Sequence, residues 1–248
     1  TCRSLQAAQS IRRQCHQGAN ILKYKNYMMK IIKCITLFLA MVCSISCRDS
    51  PNAKVLKINN EQGLYAFLEK NTDVSVVELE NRIYKLDRPL IFNRLKNITI
   101  NGNDAVLILD LLDSDVMRIE ECENLVINNI KALHVEPSGP VGCTGNVIVI
   151  NGGSNITISN SEINGCGVVG VAAYDSEDLK IIRNYIHKNS SFSIIYMGPS
   201  VSIKYNKFEN NGNKNRIAYR VSSGWPPKEY LDADITKNGL IMEGNIFR

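Results

Sequence analysis

The feature that most constrains the fold is a repeat that runs from Asn155 to Gly212. Three isoleucines within it, Ile158, Ile181 and Ile203, stand 23 and 22 residues apart. Apolar residues alternate with polar ones around each isoleucine, and this is the period of a strand rather than a helix. A repeat of this length built from strands is typical of one coil of a parallel β-helix, whose coils stack about 4.8 Å apart.

Stacked coils predict ladders of like residues. The isoleucines are expected to form an apolar ladder inside the stack. Ser161, Asn184 and Asn206, three residues further on, are expected to form a polar ladder at a turn. We attribute the asparagines to that turn because Asn tolerates the left-handed conformation and bonds its own backbone.

Three coils are longer than the regular repeat, which indicates insertions near 109–115, 136–145 and 213–231. We predict that all three leave the stack at the same corner and form one wall along the rod. Insertions on one face of a repeat protein often carry its binding site.

The N-terminal end of the stack is predicted to carry a capping helix. Residues 60–70 have Leu64 and Phe67 on one face, and Asn59 or Asn60 precedes them as the cap residue. Such a helix would cover an open strand edge.

The predicted domain boundaries follow from these elements. Residues 48–75 form a tether and the N-terminal cap, and 76–248 form the β-helix. No capping element is predicted after the last coil, which indicates that the β-helix is truncated at its C-terminus.

Residues 1–47 are predicted to be a leader for export. Several lysines precede an apolar run from Cys34 to Ile45, as in a signal peptide, and the run is too short to span a membrane. The true start is predicted at Met28 or Met29. Cys47 resembles the lipidated cysteine of bacterial lipoproteins, so the protein is either anchored in the cell envelope or simply secreted.

The charge distribution argues against a nucleic-acid partner. Residues 1–48 hold eight Lys or Arg and no acid, whereas the remaining residues hold 21 Lys or Arg and 24 Asp or Glu. The basic character therefore belongs to the leader and not to the folded part.

Two groups of titratable residues are candidates for catalysis. Asp113 and Asp115 lie in the first insertion, where they could supply paired carboxylates or a Ca²⁺ site, or form a solvated acidic loop. His134 and Glu136 lie beside the second insertion and suit acid–base chemistry. Their spacing matches no metal motif, so no metal site and no cofactor are predicted.

Aromatic residues and one arginine are the ligand-binding candidates. Tyr174 and Tyr196 occupy the same position in successive coils, so they are expected to stack and to present their rings to a sugar. The third insertion contributes Trp225, Tyr230 and Arg220, and long loops of this kind are usually functional.

Cys143 and Cys166 are 23 residues apart, about one coil. Stacking brings them near enough for a disulfide in an exported protein, and the alternative is that both pack as small apolar residues.

Asparagine-rich coils such as NITISNSEI, at residues 155–163, resemble those of bacterial right-handed parallel β-helix proteins of the pectate-lyase-like superfamily. The resemblance covers about residues 54–248. The segments HVEPSGPVGCTGNVIVI and INGCGVVGV are similar to uncharacterised, lipoprotein-like exported members. The resemblance implies an all-β fold, a single-stranded solenoid.

Members of this superfamily include polysaccharide lyases, glycoside hydrolases and exported proteins of unknown role, so the resemblance implies the fold and brings no catalytic assignment. From the insertions on one side we expect an exported protein that binds or processes a polysaccharide or glycan along that side. An enzyme of this type would be a polysaccharide lyase or a glycoside hydrolase. The alternative is a non-catalytic envelope or surface scaffold that binds a protein partner.

Overall fold

The computed structural model describes residues 54–70, 73–136, 143–165, 167–212, 215, 217–220, 228–230, 234–237 and 239–248. The predicted leader with Cys47, as well as Cys166 and Trp225, lies outside the described residues.

One helix and 21 short strands make up the described part of the chain. The first elements are β1 (Val55–Ile58), α1 (Glu61–Lys70), β2 (Val76–Leu79), β3 (Ile83–Leu86), β4 (Leu90–Asn93), β5 (Lys96–Leu109), β6 (Met117–Glu120), β7 (Glu123–His134), β8 (Ile148–Asn151), β9 (Thr157–Ser159) and β10 (Glu162–Asn164). The later elements are β11 (Val169–Tyr174), β12 (Leu179–Ile182), β13 (Tyr185–His187), β14 (Phe192–Met197), β15 (Val201–Lys204), β16 (Lys207–Glu209), β17 (Ile217–Arg220), β18 (Lys228–Tyr230), β19 (Ile235–Lys237), β20 (Leu240–Glu243) and β21 (Ile246–Phe247).

The strands stack in parallel on three faces. Face 1 holds β1, β2, β9, β12, β15, β20 and the first halves of β5 and β7. Face 2 holds β3, β10, β13, β16, β21 and the second halves of β5 and β7. Face 3 is a separate sheet that contains β4, β6, β8, β11, β14 and β17. Each coil passes through faces 1, 2 and 3 in turn, which is the predicted parallel β-helix.

The interior is filled by the predicted isoleucine ladder. Ile127, Ile158, Ile181 and Ile203 are paired in register on face 1, and each is at most 1% exposed. Burying such a side chain stabilises the fold by about 1.5–3 kcal/mol, so the ladder is a principal source of stability.

The asparagine ladder is present, but for a different reason from the one predicted. The Asn206 side-chain amide donates to the carbonyl oxygen of Ile181 at 2.8 Å and accepts from the backbone N–H of Asn184 at 2.8 Å. The left-handed positions belong to the preceding residues, Arg183 and Tyr205, with φ of 56° and 57°. The asparagines therefore serve to pair buried backbone groups between coils.

Helix α1 closes the N-terminal end of the stack, as predicted. The Asn60 side-chain oxygen accepts from the backbone N–H of Gly63 at 2.7 Å, which caps the helix. Leu64 and Phe67 are buried in the core, and the helix packs on β3 and β4. Within the described ranges, no helix has the length and apolarity needed to cross a membrane.

The predicted position of the third insertion is wrong. Strand β17 lies within the predicted range 213–231, yet it continues face 3 in register with β14. The extra residues therefore leave the stack after β17, between faces 3 and 1, and not at the corner of the other two insertions. Excess length reveals that a coil carries an insertion, but it does not show at which corner the insertion leaves.

The same segment returns to the stack as two short antiparallel strands. β18 pairs with β17, and β19 pairs with β20. These strands cover backbone groups that would otherwise form an open edge. The prediction that the β-helix is truncated at its C-terminus stays a prediction.

Candidate functional site

The first two insertions leave the stack at the corner between faces 2 and 3, as predicted. We call residues 110–116 and the described part of 135–147 the wall. The backbone N–H of Gly145 donates to the carbonyl oxygen of Leu112 at 3.0 Å. A Cβ on Gly145 would lie 2.1 Å from the carbonyl oxygen of Ser114, so a glycine is required where the two segments touch.

Asp115 is fixed at the base of the wall. One of its carboxylate oxygens accepts from the backbone N–H of Asn146 at 2.9 Å and from the Asn146 side-chain amide at 3.0 Å. Its other oxygen lies 3.8 Å from Nε of Arg118. The carboxylate is thus held between the two wall segments and faces a cation on face 3.

Glu120 lies on the other side of the same cation. Nη2 of Arg118 lies 3.2 Å from the Glu120 carboxylate, and the Asn151 amide also lies 3.2 Å from it. Met117 and Ile119 belong to the core, so the alternation of the strand places Arg118 and Glu120 on the outer side. One guanidinium therefore bridges two carboxylates.

These residues form one polar surface, which we call the carboxylate cluster: Asp115, Arg118, Glu120, Asn146 and Asn151. It offers carboxylate oxygens as acceptors and two amides that both donate and accept. Such groups match the hydroxyls of a sugar.

An aromatic ring lies beside the carboxylate cluster on face 3. Glu120, Asn151 and Tyr174 are aligned in register on neighbouring strands of face 3. Tyr174 is half-buried, and this burial is the main reason why the pKa of its hydroxyl is raised. The negative charge of Asp115 raises the same pKa further. The cluster thus has polar groups and an aromatic ring side by side.

The family is decided by comparison with known proteins. A family described as "Right handed beta helix region" matches residues 52–247, most of the chain. The chain belongs to this right-handed β-helix family. The comparison with curated proteins found no match.

The predicted stacking of two tyrosines in this β-helix protein is wrong. Tyr174 is in register with Met197, and Tyr196 is in register with Ala173. The turn that follows β14 is one residue shorter than the turn that follows β11, so the two rings point to opposite sides of face 3. Tyr196 is fully buried and lies 2.6 Å from the carbonyl oxygen of Ser176, so it is a core residue and not a ligand contact.

His134 lies beneath the wall and is 1% exposed. Its Nε2 is 2.7 Å from the carbonyl oxygen of Ser114, and its Nδ1 is buried without a hydrogen-bond partner among the described residues. Burial lowers the pKa of the ring. A neutral ring that donates from Nε2 to the Ser114 carbonyl oxygen fits this contact, so His134 holds the wall segment that carries Asp115.

The other two catalytic candidates are not members of the cluster. Asp113 and Glu136 are both exposed, and the Glu136 carboxylate lies 4.0 Å from Nζ of Lys188. Of the four candidates, the structure brings Asp115 into the cluster and places His134 in contact with its neighbour.

The ligand-binding candidates of the third insertion are described only in part. Arg220 pairs with Met197 on face 3, so its backbone extends the row that contains Tyr174. Tyr230 lies in β18, antiparallel to β17. Trp225 lies outside the described residues.

The sequence interpretation missed Arg118, Asn146 and Asn151. A signal for two of them exists, because the 31-residue step that places Ile158 on Ile127 also separates Asn146 from Asp115 and Asn151 from Glu120. Comparing polar residues that are 31 positions apart would have paired Asp115 with Asn146 and Glu120 with Asn151 from the sequence alone.

Two further observations concern metals and cysteines. Where the structure is described, no three His, Cys, Asp or Glu side chains are grouped so that they could hold a metal ion. Cys143 is buried and disulfide-bonded. Its pairing with Cys166 stays a prediction.

Proposed function

We propose that this β-helix protein binds carbohydrate on outer face 3, through the carboxylate cluster and Tyr174. The observation that carries the proposal is the register of Glu120, Asn151 and Tyr174 beside the wall. Sugar rings have hydroxyls at their edges and apolar C–H groups on their faces, so they suit acceptors and amides next to an aromatic ring.

Processing of the carbohydrate is the finer part of the proposal. Glycoside hydrolysis uses two carboxyl groups that flank one bond, and Asp115 and Glu120 contact the same guanidinium. The resemblance to the pectate-lyase-like superfamily supports a polysaccharide substrate. We further propose export and lipid anchoring at Cys47, on the basis of the leader sequence.

One observation favours the alternative, a scaffold that binds a protein partner. Phe192 and Ile195 are only partly buried on face 3, where they pack against a second, buried apolar cluster of Val149, Val169 and Ala172. Partly exposed aromatic side chains such as Phe192 are enriched in protein interfaces.

The experiment that tests carbohydrate binding is a comparison of two tyrosine variants. Tyr174→Ala should weaken glycan binding about 2- to 12-fold, because aromatic contacts contribute about 0.5–1.5 kcal/mol. Tyr205→Ala is the matched control, since Tyr205 is 47% exposed and lies at the corner between faces 1 and 2. Affinity is measured by calorimetry after a glycan-array screen, and release of new reducing ends reports processing.

Equal losses of glycan affinity in Tyr174→Ala and Tyr205→Ala would contradict the proposed binding site on face 3. Absence of binding to every glycan, together with capture of a protein partner whose binding is abolished by Ile195→Asp in a variant that still unfolds cooperatively, would favour the scaffold.

A further inference from the structure

The segment that carries the candidate site is strongly acidic. Residues 110–120 hold four carboxylates, Asp110, Asp113, Asp115 and Glu120, and one cation, Arg118. The formal charge of this segment is therefore −3. Charges of one sign along a surface repel ligands of the same sign over about a Debye length, roughly 8 Å at physiological salt.

The guanidinium of Arg118 in the carboxylate cluster already contacts two carboxylates of the protein. Arg118 lies 3.8 Å from Asp115 and 3.2 Å from Glu120, and its side chain is 45% exposed. A ligand carboxylate that reached Arg118 would have to displace one of these acids or share the cation with both. The guanidinium therefore neutralises the protein's own carboxylates and offers little to an anionic ligand.

The cations on either side of the cluster are paired as well. Arg94 lies one residue beyond the end of β4, the strand next to β6, and its Nε is 2.7 Å from the Glu121 carboxylate. Lys188 lies at the corner between faces 2 and 3 and faces Glu136 at 4.0 Å. These two cations thus each have an acidic partner, and the side chain of Arg220, further along face 3, lies outside the described side chains.

The hydrogen-bonding groups of the cluster suit uncharged ligands. The side chains of Asp115 and Glu120 are 20% and 27% exposed, so oxygen lone pairs remain open to hydroxyl donors. The negative charge of Asp115 contributes to the raised pKa of Tyr174, which agrees with a negative potential at the ring.

We propose that the carboxylate cluster selects a glycan without carboxylates and discriminates against uronate polymers. This inference rests on the proposed function and names its ligand class. A uronate polymer would bring one like charge per residue to an acidic surface whose cation is paired, whereas a neutral chain would bring hydroxyls alone.

The test uses oligosaccharides that differ only in charge. A panel of uronate oligomers is measured as free acids and as methyl esters, beside neutral oligomers, with the full chain and calorimetric detection. We expect the neutral or esterified ligand to bind at least tenfold more tightly than the matching acid. The difference should shrink as salt is raised, because salt screens the repulsion.

Two variants connect this discrimination to the cluster. Glu120→Gln removes one negative charge and retains the shape of the side chain. The ratio of the affinity for the ester to the affinity for the acid should therefore fall severalfold. Glu209→Gln is the matched control on face 2, and it should leave the difference unchanged. Thermal unfolding of both variants confirms that they are folded.

The outcomes separate the two proposals. Preferential binding of the free acids, or a difference that Glu120→Gln does not alter, overturns the charge selection and leaves carbohydrate binding in place. Failure of every oligosaccharide to bind overturns carbohydrate binding itself, and the charge selection with it.

Discussion

Replacement of Asn206 by alanine tests how the stack is held together. Asn206 is 1% exposed, and its side chain bridges two coils. Its Nδ2 donates to the carbonyl oxygen of Ile181 at 2.8 Å, and its Oδ1 accepts from the backbone N–H of Asn184 at 2.8 Å. Alanine leaves both backbone groups buried without these partners.

The magnitude follows from those two groups. A buried donor or acceptor that loses its partner costs about 1–3 kcal/mol. Asn206→Ala should therefore lower the free energy of unfolding by about 2–6 kcal/mol, which is a large share of the 5–15 kcal/mol typical of a domain. The backbone adds no strain, because φ of Asn206 is not positive.

Asn128→Ala is the matched control. Asn128 also lacks a positive φ, and its Oδ1 accepts from the Asn160 amide at 2.7 Å, but it is half-buried on the outer side. Water replaces the lost contact there, so the expected cost is at most about 1 kcal/mol.

The assay is urea unfolding of the two variants and the parent, followed by circular dichroism and by tyrosine fluorescence. Stability is compared through the midpoint at a common m value, after a check that both probes report one transition. If the two variants lose the same stability within about 0.5 kcal/mol, burial of the ladder does not set its strength and the reasoning is refuted.

Three further predictions concern other regions of the chain. Burial lowers the pKa of His134, so below about pH 6.5 the folded state binds fewer protons than the unfolded state, and stability should fall on acidification. His134→Asn should reduce this fall in a series of thermal melts, and a pH dependence equal to that of the parent would contradict the prediction. A Cys143–Cys166 bridge closes a loop of about 23 residues, so Cys166→Ser should lower the free energy of unfolding by about 3 kcal/mol and free the Cys143 thiol. Alkylation of Cys143 in the denatured, non-reduced parent would exclude the bridge. Cys47→Ala should release the protein from the membrane fraction, and unchanged membrane association would rule out lipid anchoring at this residue.

Much of the fold was predictable because its signals are local or periodic. Ile158, Ile181 and Ile203 recur at nearly one interval, and each lies within an alternation of period two, so their alignment on one face follows directly. The cap at Asn60 has its own local pattern, a side-chain acceptor followed by an apolar helical face. The corner of the first two insertions followed from the same repeat.

The errors arose where one residue or one corner changes the outcome. Tyr174 and Tyr196 lie at equal distances before the next isoleucine, but a turn shorter by one residue moves Tyr196 into the core. The third insertion was misplaced because β17 belongs to the stack, although the sequence spacing does not distinguish it from the residues that follow.

The sequence by itself determined the coil, its apolar interior, the capping helix and the corner at which the wall forms, because each depends on residues within one repeat or on a regular interval. The tertiary structure alone decided the candidate site. Asp115 meets Asn146, and Glu120 meets Asn151, across 31 residues of chain. Arg118 then joins the two acids from the outer side of a strand. Contacts of this kind depend on the length of the intervening coil and on which side of the sheet each residue occupies. Both become definite only when the coils are stacked.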